Sequence, residues 1–203
     1  DVVRCEGTER RDRAAGEERP GVVLDRDGVV VIPEFRDGRS YAPRTLDAFS
    51  IYPGASASLQ SLREAGYALV VVTNQPDVGA GLLAETVLAA MHERLLAELP
   101  IDRIEVCPHT REQACLCRKP QPGMLLNAAN AMGIRLDQSY MIGDRESDML
   151  AGAAAGCRTI FIDLGYTTEP MPQAADWTVG SIEEAAACVL AADEMGSRHV
   201  TAR

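Results

Sequence analysis

The sequence lacks any long hydrophobic run. None of its apolar stretches approaches the roughly 18 residues that a membrane-spanning helix needs. Its first residues show no signal-peptide pattern, which would combine a positive start with an apolar core. We therefore expect a protein with no membrane partner and a cytoplasmic location.

Positive charge is also scarce. The 203 residues include 20 Lys and Arg against 30 Asp and Glu, which gives a formal net charge of −10. Non-specific binding of nucleic acid depends on neutralising phosphates with Lys and Arg, so the composition argues against a nucleic-acid partner. A small anionic substrate stays compatible with the sequence, because a local cluster of basic side chains can oppose the overall charge.

The chain has six cysteines, too few for a disulfide-rich scaffold at this length. Three of them fall between positions 107 and 117, beside a histidine, and clustering of this kind without secretory signals favours metal binding. Internal repeats and low-complexity linkers are absent from the sequence. A single domain, and a monomer, are the simplest expectations.

Short apolar runs predict the strands of one domain over residues 21–190. Such runs, rich in β-branched residues and typical of strands buried on both faces, lie at 21–24, 68–72, 104–106, 140–142 and 159–162. Residues 1–20 are dense in charge and are expected to be a disordered tail, and 191–203 a C-terminal tail.

Helical patterns fill the gaps between these strands. They cover residues 55–65, 84–98, 122–132, 146–155 and 181–192. Gly66, Gly133 and Gly156 stand where such helices would end. The alternation predicts an α/β fold, with a Rossmann-like, mainly parallel sheet and helices on both faces.

Polar residues follow three of the predicted strands directly. GVVL is followed by Asp25 and Asp27, ALVVV by Thr73 and Asn74, and YMI by Gly-Asp144. In an open α/β sheet ligands bind at the carboxyl ends of the strands, so these side chains should converge at one edge. Each alone could be a turn former or a helix cap; together they favour a catalytic site.

The carboxylates are suited to hold Mg²⁺ and to transfer a phosphoryl group. Asp25, Asp27 and Asp144 offer an all-oxygen ligand set, and Gly28 would permit the tight turn that points the first two into one pocket. Asp148, one helical turn after Asp144, could hold a metal-bound water or orient a neighbouring group. A carboxylate beside such a cation, with a lysine nearby, can act as nucleophile and form an aspartyl-phosphate.

A second cluster is predicted to bind structural zinc. Cys107, His109, Cys115 and Cys117 supply four soft or borderline ligands within a short span, as tetrahedral zinc requires. Neither a reactive thiol nor a local disulfide would explain the histidine, and a disulfide between the cysteines of a C-x-C pair would be strained. Cys157 and Cys188 stand in apolar surroundings and are predicted to be buried packing residues, and His92, on a predicted helix, receives no role.

The motifs LDRDGVV, VVVTNQ, CRKP and MIGDRESDM together resemble the four ordered motifs of the haloacid-dehalogenase-like (HAD) phosphatases, over residues 21 to 185. The resemblance implies a HAD fold with Asp25 as nucleophile and Asp27 as general acid and base. It implies that Mg²⁺ is bound by Asp25, Asp144 and the backbone carbonyl of Asp27.

The resemblance also implies the substrate contacts. Thr73 and Asn74 would hydrogen-bond the phosphoryl group, Gln75 would join them at the substrate, and Lys119 would offset negative charge on nucleophile and phosphate. The gap between the first two motifs holds no cap-sized domain.

The cysteine-rich loop that leads into CRKP resembles the HAD branch of heptose-bisphosphate and histidinol-phosphate phosphatases. The stretch RKPQPGML is similar to the heptose side, where Arg118 would bind a second phosphate bidentately. The short spacer between His109 and Cys115 is closer to the histidinol side. The stretch TNQPDVGAG lacks an arginine expected near position 80, a contact that Arg44 or Tyr41 could replace.

The sequence thus predicts a Mg²⁺-dependent phosphatase of a sugar bisphosphate, either heptose 1,7-bisphosphate or another higher sugar. Histidinol-phosphate phosphatase is the nearest alternative. Two other classes stay open: a phospho-receiver domain, which also pairs an aspartate with Thr and Lys, and a zinc-stabilised binding module whose carboxylates are inactive. Multiple-turnover release of phosphate separates the enzymes from both.

Overall fold

A computed structural model describes residues 8–9, 18–166, 168–169 and 171–200, with only the backbone of residues 193–200. A seven-stranded sheet forms the centre. Its strands are β1 (Thr8–Glu9), β2 (Gly21–Leu24), β7 (Ala68–Asn74), β8 (Arg103–Cys107), β9 (Tyr140–Gly143), β10 (Arg158–Ile162) and β11 (Trp177–Val179). They run in the order β1-β8-β7-β2-β9-β10-β11, and all pairs are parallel except β1 with β8.

Helices cover both faces of this sheet. They are α1 (Ala55–Glu64), α2 (Pro76–Gly79), α3 (Glu85–Glu98), α4 (Gly123–Met132), α5 (Glu146–Ala155) and α6 (Ile182–Val200). Short 3₁₀ turns lie at Arg111–Gln113 and Leu136–Gln138. No helix among these described residues is both long enough and apolar enough to cross a membrane.

Alternate residues of the central strands pack to opposite faces. In β2, Val22 and Leu24 pack in the cluster that contains Leu59 of α1. Val23, between them, packs in the cluster that contains Met124 of α4. Because both faces are covered, the central strands are continuously apolar, and burial of each such side chain contributes about 1.5–3 kcal/mol. The predicted fold class is confirmed.

The residues between β2 and α1 form two small antiparallel sheets that the sequence did not predict. One pairs β3 (Val31–Ile32) with β6 (Ser50–Ile51), and the other is a hairpin of β4 (Glu34–Arg36) with β5 (Arg39–Tyr41). As expected, no cap-sized domain occupies this gap.

The described chain differs from the expected tails in two places. Thr8–Glu9 add a short antiparallel strand to the edge of the sheet, whereas the rest of 1–17 lies outside the described residues. Helix α6 continues to Val200, well past the expected tail boundary at 191. Gly133 and Gly156 end their helices in the left-handed conformation, as predicted, and Gly66, with φ of 98°, directly follows the C-cap of α1.

Candidate active site

Four neighbouring parallel strands end at one edge of the sheet, and each delivers functional side chains there. Asp25 follows β2, Asn74 ends β7, Cys107 ends β8, and Asp144 follows β9. A cavity of about 810 Å³ opens at this edge. The predicted convergence is therefore present, and its source is the parallel arrangement of the strands.

Three buried carboxylates form the first cluster. Asp25, Asp144 and Asp148 each place one carboxylate oxygen within 4.8 Å of the others. Burial, and then the neighbouring charges of Asp25 and Asp148, raise the pKa of Asp144 well above its usual range. Asp144 Oδ1 is buried without a hydrogen-bond partner among the described residues. A hard divalent cation such as Mg²⁺ fits this oxygen-rich set, since it supplies both the missing charge and the missing partner.

Lys119 connects two of these carboxylates. Its Nζ lies 2.9 Å from Asp25 Oδ1 and 2.7 Å from Asp148 Oδ1, and it donates a hydrogen bond to Val72 O at 2.9 Å. Burial alone would lower the pKa of Lys119, but the two carboxylates outweigh it and the pKa is raised. Lys119 therefore remains a buried ammonium ion at neutral pH.

Asn74 fixes the backbone of Lys119. Asn74 Nδ2 donates to Lys119 O, and Lys119 N donates to Asn74 Oδ1, both at 3.1 Å. This reciprocal pair joins the end of β7 to the loop that carries the lysine, across 45 residues of sequence. Asn74 lines the cavity as predicted, and its amide positions the lysine.

Asp27 lies beside the cluster and accepts hydrogen bonds from two side chains. Arg26 donates from Nε at 3.1 Å and Gln75 from Nε2 at 2.9 Å, both to Asp27 Oδ2. Burial raises the pKa of Asp27, and the adjacent Arg26 opposes that shift without cancelling it. A carboxyl group with a raised pKa at the edge of a cavity can exchange a proton with a bound ligand.

Arg26 is held by groups for which no role was predicted. Its guanidinium is completely buried, lies 5.6 Å from the ring centroid of Phe49, and places Nη1 3.3 Å from His92 Nε2. Burial, and then the charge of Arg26, lower the pKa of His92 to about 3, so its neutral ring accepts the hydrogen bond. Arg26 could have been singled out from its place between the two motif aspartates; nothing local marks His92.

The stretch Thr73 to Gln75 is turned partly toward the protein interior. Thr73 is 1 % exposed, and its Oγ1 accepts a hydrogen bond from Gln75 Nε2 at 2.9 Å. Gln75 thus joins Thr73 to the carboxylate of Asp27. Contact of Thr73 or Gln75 with a substrate stays a prediction.

Gly28 is required at this edge for two reasons. Its φ of 87° lies in the left-handed region, where side chains are strained. A Cβ there would also lie 2.2 Å from Asp144 Oδ2, too close for any side chain. The predicted need for glycine in this turn is confirmed, and the close approach adds a cause that the sequence did not show.

The predicted cysteine and histidine ligands form a second cluster. Cys107 Sγ lies 3.6 Å from His109 Nδ1 and 3.5 Å from Cys115 Sγ, and Cys117 Sγ lies 3.4 Å from both of those atoms. Zn–S and Zn–N bonds in a tetrahedron imply separations of about 3.5–3.8 Å. The four atoms are therefore spaced to hold zinc.

Cys117 must be reduced to complete this cluster. Cys107 and Cys115 are free cysteines. Since zinc binds thiolates, only the reduced protein offers all four ligands. Cys157, outside the cluster, is buried as predicted, and burial raises the pKa of its thiol to about 12.

Five arginines line the cavity in spite of the negative net charge. The side chains that line it include Arg39, Arg44, Arg111, Arg118 and Arg145. Arg118 Nη1 also donates to His109 O at 3.0 Å, which links Arg118 to the loop that carries the cysteine and histidine cluster. Arg44 and Tyr41 line the cavity, but Arg44 Nε lies 2.7 Å from Asp77 Oδ2, so its charge is already paired.

Comparison with known proteins agrees with this architecture. A HAD-hydrolase-like family model matches residues 116–185. The D-glycero-beta-D-manno-heptose-1,7-bisphosphate 7-phosphatase of Salmonella typhi is 35% identical over 179 residues, covering 81% of this chain and 92% of that protein. The Helicobacter pylori protein of the same name is 36% identical over 160 residues, covering 76% and 87%.

Solved structures give the same result. The crystal structure of a D,D-heptose 1,7-bisphosphate phosphatase from B. bronchiseptica, complexed with magnesium and phosphate, superposes with a TM-score of 0.71 at 28% identity. The match covers 86% of this chain and 98% of that one.

The fold and the carboxylate site define a HAD hydrolase of the phosphatase class. With these relatives, the chain belongs to the HAD phosphatase family that includes the D-glycero-beta-D-manno-heptose-1,7-bisphosphate 7-phosphatases.

Proposed function

We propose that this phosphatase hydrolyses one phosphomonoester of a sugar bisphosphate, of the heptose 1,7-bisphosphate kind. The proposal rests on the charged residues that line the cavity. Asp25 Oδ1 lies 2.9 Å from Lys119 Nζ and beside two further carboxylates, and five arginines are among the residues that line the same cavity. The carboxylates and the lysine suit a reacting phosphoryl group, and the arginines suit a second anionic group on the same small substrate.

Asp25 is the proposed nucleophile. Its Oδ1 accepts a hydrogen bond from Arg26 N at 2.7 Å and pairs with Lys119, which fixes the carboxylate where it lines the cavity. Attack on phosphorus forms an aspartyl-phosphate and breaks the bond to the sugar oxygen. Attack of water on that phosphorus then releases phosphate and regenerates the carboxylate.

Asp27 is the proposed general acid and base. Its raised pKa favours the protonated form that the leaving sugar oxygen needs. After the sugar alcohol leaves, the same carboxylate takes a proton from water. The hydrogen bonds from Arg26 and Gln75 hold the carboxyl group in place for both proton transfers.

Lys119 is proposed to offset the charge that gathers around the transferring group. It is the only lysine in the sequence, since the other 19 of the 20 Lys and Arg residues are arginines. Its compact ammonium group has three donors for Asp25, Asp148 and Val72, a geometry that a planar guanidinium does not reproduce.

Asp25, Asp144 and the backbone carbonyl of Asp27 are the proposed Mg²⁺ ligands. When bound, Mg²⁺ supplies positive charge that neutralises the phosphoryl oxygens. Asp148 is already engaged by Lys119 and by Arg145 N, which donates to its Oδ2 at 3.1 Å. We therefore assign Asp148 to orienting the lysine.

Treatment with EDTA should abolish phosphate release, and Mg²⁺ alone should restore it. Two metal sites of different chemistry predict this outcome: oxygen ligands bind Mg²⁺ weakly, and a Cys₃His site holds zinc far more tightly. The measurement is phosphate release together with zinc content before and after treatment. Activity that persists without Mg²⁺, while zinc content is unchanged, would contradict the assignment.

Arg118 is proposed to bind the second phosphate. Arg118→Ala should raise KM for a sugar bisphosphate about 10- to 100-fold, the effect of losing a charged hydrogen bond, and hardly change KM for the matching monophosphate. Arg118→Lys should recover part of the loss, because the charge remains but the bidentate contact does not.

Arg158→Ala is the matched control for Arg118, since Arg158 bonds Tyr140 Oη away from the cavity. Zinc content must be compared as well, because Arg118 also bonds His109 O. Equal losses with bisphosphate and monophosphate would show that Arg118 only shapes its loop.

Cys107, His109, Cys115 and Cys117 are the proposed ligands of a structural zinc ion in the reduced protein. The reduced state they need is the ordinary state of thiols in the cytoplasm, where we propose the enzyme acts. Zinc would fix the loop between β8 and Lys119, which places both Arg118 and the lysine.

Substrate identity is tested by kcat/KM across a panel of phosphate esters. The panel contains both anomers of heptose 1,7-bisphosphate, other sugar mono- and bisphosphates, and histidinol phosphate. We expect the highest kcat/KM with a heptose or other higher-sugar bisphosphate. A preference for histidinol phosphate would assign the protein to the histidinol-phosphate branch. Phosphorylation in a single turnover without release of phosphate would indicate a phospho-receiver domain.

A further inference from the structure

Tyr166 makes a direct hydrogen bond to one of the proposed Mg²⁺ ligands. Its hydroxyl donates to Asp144 Oδ2 at 2.5 Å, although the two residues are 22 positions apart. Tyr166 follows β10 as Asp144 follows β9, and these strands are parallel neighbours. The hydrogen bond therefore joins two loops at the same edge of the sheet.

Because of this hydrogen bond, the two carboxylate oxygens of Asp144 have different contacts. Oδ2 is engaged by the phenol, whereas Oδ1 has no hydrogen-bond partner among the described residues. Asp144 is 2 % exposed, so solvent does not hold either oxygen. A buried carboxylate with only one satisfied oxygen is oriented to give the other to a cation.

The backbone of the catalytic loop is shaped around this pair. A Cβ on Gly28 would lie 2.2 Å from Asp144 Oδ2 and 3.0 Å from the Tyr166 hydroxyl. Glycine at this position therefore leaves room for the phenol and the carboxylate to meet beside the segment that carries Asp25 and Asp27.

Tyr166 is in turn braced by the hairpin β4–β5. The ring of Phe35 stacks on Tyr166, with centroids 5.6 Å apart and an interplanar angle of 25°. Thr168 Oγ1 donates to Gly38 O at 3.0 Å, and Arg145 Nη2 donates to Ser40 O at 3.0 Å. The contacts of Tyr166 and Thr168 tie the loop after β10 to a hairpin whose residues also line the cavity, and the contact of Arg145 ties the start of α5 to the same hairpin.

We propose that Tyr166 is a positioning residue for the metal site, which holds Asp144 through Oδ2 so that Oδ1 serves as the ligand to a divalent cation. The stack with Phe35 fixes the phenol and so connects the cavity wall to that ligand. The proposal rests on the proposed Mg²⁺ role of Asp144, but its test needs no substrate.

Tyr166→Phe is the variant of choice, because it keeps the ring against Phe35 and removes only the hydroxyl. Loss of a partner that orients a metal ligand typically weakens metal binding about 10- to 100-fold. We expect the dissociation constant for Mg²⁺, from calorimetric titration of the substrate-free protein, to rise by about 10-fold or more. Phosphatase activity should fall at limiting Mg²⁺ and recover at saturating Mg²⁺.

Tyr140→Phe is the matched control. It also removes a buried phenol hydroxyl, one that accepts a hydrogen bond from Arg158 at the other end of β9, and it should leave Mg²⁺ affinity unchanged. Phe35→Ala keeps the hydroxyl but removes the stack, and should weaken Mg²⁺ binding less than Tyr166→Phe. Thermal unfolding of every variant confirms that the fold is retained.

Equal Mg²⁺ affinity of Tyr166→Phe and wild-type protein, within about twofold, would overturn the proposal. A crystal structure of the Mg²⁺-loaded wild-type protein gives an independent test that does not depend on a folded variant. The Tyr166–Asp144 hydrogen bond should persist there with Oδ1 on the metal, and a bond broken by Mg²⁺ would overturn the proposal. If the protein bound Mg²⁺ as expected but hydrolysed no sugar bisphosphate, the proposed substrate would fail and the role of Tyr166 would stand.

Discussion

Asp25→Asn should lower kcat by about 10⁴-fold or more, the scale seen when an enzyme loses its nucleophile. An amide oxygen cannot form the acyl-phosphate bond, and it also binds Mg²⁺ more weakly than a carboxylate does. The fold should be retained, because the substitution removes one negative charge from three buried carboxylates that repel one another. Phosphate release and thermal unfolding measure the two effects.

Asp137→Asn is the matched control for this prediction, since Asp137 is exposed in a 3₁₀ turn and is not among the residues that line the cavity. It should retain full activity. Turnover by Asp25→Asn near the wild-type rate would contradict the assignment of the nucleophile. A loss of activity accompanied by unfolding would instead show that Lys119 needs the Asp25 charge for stability.

Cys115→Ser should remove zinc and destabilise the protein. Reduced wild-type protein should contain about one zinc ion per chain, and binding at such sites contributes on the order of 10 kcal/mol that is coupled to folding. Even a loss of about 3 kcal/mol would lower Tm by about 10 °C in a chain of this size. Activity should fall as well, because Lys119 follows Cys117 by two residues and depends on the loop for its position.

Cys188→Ser is the control for the zinc prediction, because Cys188 is a free, partly buried cysteine on α6, outside the cluster. It should keep its zinc and nearly all of its activity. Reduced wild-type protein that contains no zinc, or Cys115→Ser with an unchanged Tm, would contradict the structural role. Oxidised protein should bind less zinc than reduced protein, because zinc binds thiolates and disulfide formation removes them.

The sequence predicted the strands and helices around the site because apolar periodicity determines them directly. The runs at 21–24 and 68–72 became β2 and β7, since both of their faces are covered. The motif residues could be placed because each follows a strand, and parallel strands end together. The two-residue strands β3 and β6 were beyond prediction, since they depend on pairing across intervening chain and carry no periodicity.

The parts that the sequence did not predict depend on contacts between distant residues. His92 supports Arg26 across 66 residues, and nothing around position 92 signals that contact. Tyr166 follows the predicted strand at 159–162, but no motif marks it, and its contact with Asp144 joins residues that are 22 positions apart. For Thr73 the sequence predicted the position in the motif, but it did not predict that the hydroxyl would accept a hydrogen bond from Gln75.

The most direct test of the account is to trap the phosphorylated enzyme. Asp27→Asn should still accept a phosphoryl group from an activated phosphate ester that needs no general acid, but should release it slowly, since the base for water is missing. Mass spectrometry after acid quench in the presence of Mg²⁺ should place one phosphoryl group on the peptide that contains Asp25. A phosphoryl group on any other residue, or phosphate release with no phosphoenzyme at any time during turnover, would contradict the account.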